Sequence, residues 1–136
     1  MTREGAVRLL FMQWAITGAI GVLLITAQSI GGKYGEDSEL AWNWLLGQFT
    51  PALSILTAAA FADPSARWRK AASSMWKLRS AVILGVIQAI CMLVLLLLEP
   101  LLDVTPFDLF GRTQWMLALL QGIAVAAIGS VIFDGR

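Results

Sequence analysis

Four apolar runs constrain this chain more than any other feature. They cover residues 7–30, 40–62, 78–98 and 114–133, and none has a charged residue in its central part. At about 1.5 Å of rise per residue, each is long enough as a helix to cross about 30 Å of hydrocarbon. A lipid-embedded backbone must satisfy its own N–H and C=O groups, so a spanning segment is a helix or belongs to a closed barrel. The alternating segments of about ten residues that build a barrel are missing. The expected fold is therefore all-α: one polytopic domain over residues 1–136, a bundle of four transmembrane helices in two hairpins. Composition agrees, since 58% of residues are hydrophobic and 14% charged, which does not describe a core closed off from water. The first run exceeds the apolar region of a signal peptide, and Ile25-Thr26-Ala27 is a poor cleavage site, so this helix is expected to be retained.

Charge sets the orientation. Half of the Lys and Arg residues lie in the segment 63–79 between the second and third runs, and Arg3 and Arg8 flank the first. The other two connections carry the acids, Glu36, Asp37 and Glu39 in one and Glu99, Asp103 and Asp108 in the other. By the positive-inside rule both termini and the basic segment face the cytoplasm, and the protein is expected in the plasma (inner) membrane. Tyr34, Trp42, Trp44 and Trp115 then fall near the outer interface and Trp68 and Trp76 near the inner one, where aromatic belts form. In the outer connection that follows the third run, Asp108 is a candidate N-cap.

The basic segment reads as a short amphipathic cytoplasmic helix. Asp63-Pro64 supplies an N-cap and a proline at the first helical position. Trp68, Ala72, Met75, Trp76 and Arg79 recur on one side, with Arg67, Lys70, Ser74 and Lys77 on another. Arg67, Trp68, Arg69, Lys70, Trp76, Lys77 and Arg79 are the candidate docking residues for anionic inner-leaflet lipids or an acidic partner.

Within the spans, polar and small residues gather in stripes. Gln13, Thr17, Gly21, Leu24 and Gln28 share one face of the first helix, and Asn43, Thr50, Ser54 and Thr57 one face of the second. Both faces are expected to point at protein. The third run is the most lipid-like and is expected on the outside of the bundle, with Ala81, Gly85 and Gln88 as its small face. Pro51 removes a backbone donor and deprives the Gly47 carbonyl of its usual partner, so Gly47 and Pro51 form a candidate hinge. Gly122, Ala126 and Ser130, spaced by four, form a row that lets another helix approach closely.

One glutamine sits well within each span: Gln13, Gln48, Gln88 and Gln121. An amide in hydrocarbon needs a hydrogen-bond partner, so these are candidate interhelical contacts; with Thr50, Ser54 and Thr57 they are also the candidate lining of a polar path. Gln48 lies off the stripe of its helix and is the candidate for contact with another subunit or a pore.

Much chemistry is excluded. With no His and one Cys, the chain alone can build neither a zinc, haem or iron–sulfur site nor a His-dependent or Cys–His mechanism, and no cofactor is expected. A net charge of +1 gives no reason to expect nucleic acid. No acid lies at membrane depth, so proton-coupled transport lacks its titrating group. An offset of 71 residues superimposes Arg8 on Arg79, Asp37 on Asp108, Trp44 on Trp115 and Asp63 on Asp134, which raises duplication of a hairpin about an axis along the membrane normal. The expected function is non-enzymatic: a small integral membrane protein working as a homo-oligomer or as the membrane subunit of a larger assembly. The alternatives are a pore formed by several copies and a facilitator or exporter of small amphipathic solutes.

Overall fold

The computed structural model describes residues 1–61, 72–101 and 105–133, and all of its regular structure there is helical. Four helices, α1 (Arg3–Ile30), α2 (Ser38–Phe61), α3 (Met75–Leu98) and α4 (Pro106–Ile132), carry the fold. Each is long and apolar enough to cross a membrane. Of the seven docking residues of the proposed amphipathic helix, four, Arg67, Trp68, Arg69 and Lys70, lie outside the described residues. Trp76, Lys77 and Arg79 belong to the first turns of α3.

Local chemistry explains the boundaries. Thr2 caps α1 by accepting a hydrogen bond from the Gly5 N–H at 3.2 Å, and Glu4 in the first turn pairs with Arg8 at 2.7 Å. The chain leaves α1 through Gly31 and Gly32, the latter at φ 72°, a backbone region that favours glycine. α4 begins eight residues before the apolar run that announced it. Its cap is Thr105, whose Oγ1 accepts from the Asp108 N–H at 3.3 Å, with Pro106 at the first position. Asp108 therefore sits inside the first turn, where its charge suits the helix N-terminus, and is not the cap.

The helices form a ring in the order α1, α2, α4, α3. α1 and α3 run parallel: Gln13 of α1 bonds the Val82 carbonyl of α3 at 3.2 Å, and Gln28 bonds the Leu96 carbonyl at 3.0 Å. At the end holding the N-terminus, the Ser73 N–H donates to the Met1 carbonyl at 3.1 Å. At the opposite, loop end, Lys33 pairs with buried Glu99, tying the α1–α2 connection to the end of α3. α3 is thus a full member of the ring and not peripheral; Ala81, Gly85, Gln88, Met92 and Leu96 all face inward. A two-fold axis through the bundle along the membrane normal would set α1 and α3 across from each other, not side by side. Trp44 is buried while Trp115 is 84% exposed, so the residues paired by the 71-residue offset occupy unlike surroundings.

Glycines permit the closest packing. A Cβ at Gly21 would lie 2.9 Å from Leu45 Cδ1 and 3.3 Å from Met92 Cε, where three helices meet. One at Gly85 would lie 2.6 Å from Gln13 Nε2. Trp14 meets Phe49 edge-on, with centroids 6.1 Å apart. Near the loop end Phe110 stacks on Trp44 at 4.6 Å and touches Tyr34 at 6.2 Å. Tyr34 and Trp44 are consequently core residues and not belt anchors; their rings are taken up by Phe110.

Candidate functional site: the α2–α4 groove and the glutamine centre

The structure sorts the polar residues of the spans into two groups. The α1 stripe faces protein as its pattern implies: Gln13 and Gln28 bond α3, Thr17 bonds the Gln13 carbonyl at 2.9 Å, and Gly21 is buried. The α2 stripe does not face the bundle. Asn43, Thr50, Ser54 and Thr57 are exposed on the outside of the bundle, together with Gly47 and Pro51. Thr50 satisfies its own hydroxyl by donating to the Leu46 carbonyl at 2.8 Å, which lets a threonine face outward at little cost.

Gln48 is the exception on α2. It is 4% exposed and accepts a hydrogen bond from Gln88 Nε2 at 2.8 Å, so α2 and α3, which face each other across the ring, are joined through its middle. Of the roles expected of Gln48, the interhelical contact is the one its side chain makes, inside the bundle. Gln88 Oε1 remains without a partner, as do both amide atoms of Gln121, which is 5% exposed. Three glutamines from three helices therefore lie buried, with one hydrogen bond among them.

Gln48 and Gln121 both line a groove of about 340 Å³ between α2 and α4. Its α2 wall consists of Asn43, Trp44, Gly47, Gln48 and Pro51, and its α4 wall of Gln114, Ala118, Gln121, Gly122 and Val125. The proline is essential to this geometry. It cannot donate to the Gly47 carbonyl one turn back, so an acceptor without its helical partner stands on the groove wall. Trp44 adds a buried indole N–H that has no partner. Among the described residues no charged side chain lines the groove. A groove of this kind offers neutral donors and acceptors at the edge of an apolar slot and has nothing with which to hold an ion by charge.

Gly122, Ala126 and Ser130 are partly or wholly turned outward, and a Cβ at Gly122 would meet nothing within 4 Å. The small-residue row is not used to pack α4 within this chain. Sequence reasoning located the row and the role of Pro51 but not the groove, because nothing in periodicity says that Gly47 and Gly122 lie across from each other. Among the described residues no three His, Cys, Asp or Glu side chains gather as metal ligands would.

At the loop end, Tyr34 donates to Gln28 Oε1 and is 3% exposed, and burial pushes its phenol up to about 12. Burial lowers the Lys33 ammonium below its ordinary value. No protein-family model, curated protein or solved structure matches this chain.

Proposed function

We propose that this chain is a non-enzymatic membrane subunit that works in an assembly of its own copies, joined along the α2–α4 side of the bundle. The observation that carries the reading is the contrast between outward faces. α1 presents Leu9, Met12, Ile16, Ile20 and Leu23, and α3 presents Ile83, Val86, Ile87, Ile90, Val94 and Leu97. α2 presents Asn43, Gly47, Thr50, Ser54 and Thr57 beside Leu46, and α4, apolar outside at Trp115, Met116, Leu119 and Ile123, presents Gly122, Ala126 and Ser130. Lipid tails are as apolar as leucine, so helices in a bilayer associate through close backbone approach and hydrogen bonds, which small and hydroxylated residues supply. By the charge distribution, the termini and the basic segment with Arg67, Arg69 and Lys70 face the cytoplasm, where that segment serves as the docking surface for anionic lipid or an acidic partner.

Counting subunits in lipid nanodiscs by native mass spectrometry tests the assembly. Wild type forms a defined oligomer, and Ala126→Leu with Ser130→Leu shifts it to monomer while helicity is kept. A wild-type monomer at every protein-to-lipid ratio overturns the reading.

A further inference from the structure

Two adjacent residues of α2 leave groups of opposite kind unused. Gln48 is more than nine-tenths buried and its Oε1 accepts from Gln88. Among the described residues its Nε2 makes no hydrogen bond, and unlike the amide of Gln121 it is not closed off from the groove it lines. Beside it, the Gly47 carbonyl has no helical donor, because Pro51 lacks an N–H, and Gly47 is exposed with no side chain in front of it. Lipid tails can neither accept from the one nor donate to the other, so both groups call for protein. A surface with a donor and an acceptor side by side is complementary to a second copy of itself. Charge gives all copies one direction across the membrane, so two copies are related by an axis along the membrane normal, and a residue meets only residues at its own depth. About a two-fold axis of this kind the donor of each copy faces the acceptor of the other, and both bonds form at one level.

The outward stripe of α2 fits the same arrangement. Asn43, Gly47, Thr50, Ser54 and Thr57 are all exposed and alternate by four and three residues. That is a repeat of about 3.5 residues, which keeps one face turned toward a parallel partner along its whole length, here about 21 Å at 1.5 Å per residue. Asn43 stands on the seam, where a single asparagine favours two parallel strands. The exposed row on α4, from Gln114 through Ala118 and Gly122 to Ser130, steps by four throughout and so winds away from a straight partner. It forms the second wall of the groove and not the seam.

We propose that two copies pair through α2 about a two-fold axis along the membrane normal, each lodging its Gly47 in the α2–α4 groove of the other, so that the Gly47 carbonyl of one accepts from the Gln48 Nε2 of its partner and the reverse. This seam rests on the assembly proposed above and fixes its basic unit as a dimer. Pro51 then acts across the subunit boundary: by withholding an N–H from its own helix it releases the acceptor that the neighbour uses.

Disulfide formation in the full chain, in liposomes and with Cys91→Ala as background, locates the seam. A residue beside a two-fold axis meets its own copy, so Asn43→Cys, Thr50→Cys and Ser54→Cys, each introduced singly, are expected to give linked dimers on oxidation. Ile16→Cys and Ile90→Cys, on the exposed apolar faces of α1 and α3, are expected to stay unlinked. Pro51→Ala returns an N–H to the helix, and the Gly47 carbonyl rejoins the ladder of α2. Pairing, read by energy transfer between fluorescently labelled copies as lipid dilutes them, weakens by about tenfold, while the thermal midpoint of the dispersed monomer rises. A proline that only shapes the bundle would lower that midpoint when removed. Gln48→Leu also weakens pairing, and adding Pro51→Ala to it weakens pairing no further, because both changes remove the same bond. Links missing from the α2 stripe in a protein that native mass spectrometry counts as an oligomer overturn the seam and leave the assembly standing. An odd subunit count, or a Pro51→Ala protein that pairs as tightly as wild type, overturns the reciprocal bond; a monomer at every protein-to-lipid ratio overturns the assembly and the seam with it.

Discussion

Gln88 of α3 donates its Nε2 to Gln48 Oε1 of α2 at 2.8 Å in the middle of the bundle, with both side chains almost wholly buried. Removing one partner strands the other amide in an apolar interior, at a cost of about 1–3 kcal/mol. Gln48→Leu and Gln88→Leu should therefore each lower stability. The double replacement should cost less than their sum, with a coupling energy on the order of 0.6–2 kcal/mol. Unfolding of all four proteins in mixed micelles closes the cycle; strict additivity would show that the bond is not made.

Glycine replacements should separate inward from outward faces. In Gly85→Ala the new Cβ displaces Gln13 Nε2 from a position 2.6 Å away and breaks its bond to the Val82 carbonyl, costing about 1–2 kcal/mol. Gly122→Ala meets no atom of its own chain and should leave the unfolding midpoint of a dispersed monomer unchanged or slightly higher. Thermal melts of the two variants side by side decide it.

The single tyrosine of the chain gives an unambiguous titration. Burial beside Phe110 raises the Tyr34 phenol from 10.0 to about 12. The sign is that of a raised folded value: the contribution of the neutral phenol to stability is intact below pH 10 and is lost as pH climbs from 10 to about 12. Phenolate absorbance should appear with a midpoint near 12 in the folded protein, and Phe110→Ala should move it back toward 10. A wild-type midpoint at 10 would mean that the phenol meets water.

Topology is tested in intact cells with Cys91→Ala as background. Cysteines placed at Glu36 and Asp108 should react with an impermeant maleimide, and one at Ser74 should not; the reverse pattern inverts the orientation drawn from the charges.

The helices were legible in the sequence, and their arrangement was not. Uncharged runs located α1 to α3 to within a few residues, since hydrocarbon admits little else. The early start of α4 was hidden by Asp108 and Arg112, polar residues that end an apolar run without ending a helix, although Thr105-Pro106 was a readable cap. The directions of the stripes could not be read. In water an apolar face turns inward, but in lipid apolar surface is stable on either side. A small polar stripe thus marks a face that meets something without saying whether that is the same chain, as on α1, or not, as on α2. The direction of Gln48 was hidden for the same reason: it depends on Gln88, forty residues away.

The parallel pair α1 and α3 is fastened near both ends, by Met1 and Ser73 at one and by Lys33 and Glu99 at the other. A chain made from its N-terminus must therefore hold its first helix unfastened until the third has been synthesised. During that interval the flank of α1 that carries Gln13 and Gln28 lacks its carbonyl acceptors, and the insertion machinery or a neighbouring nascent helix must shelter two unpaired amide N–H donors.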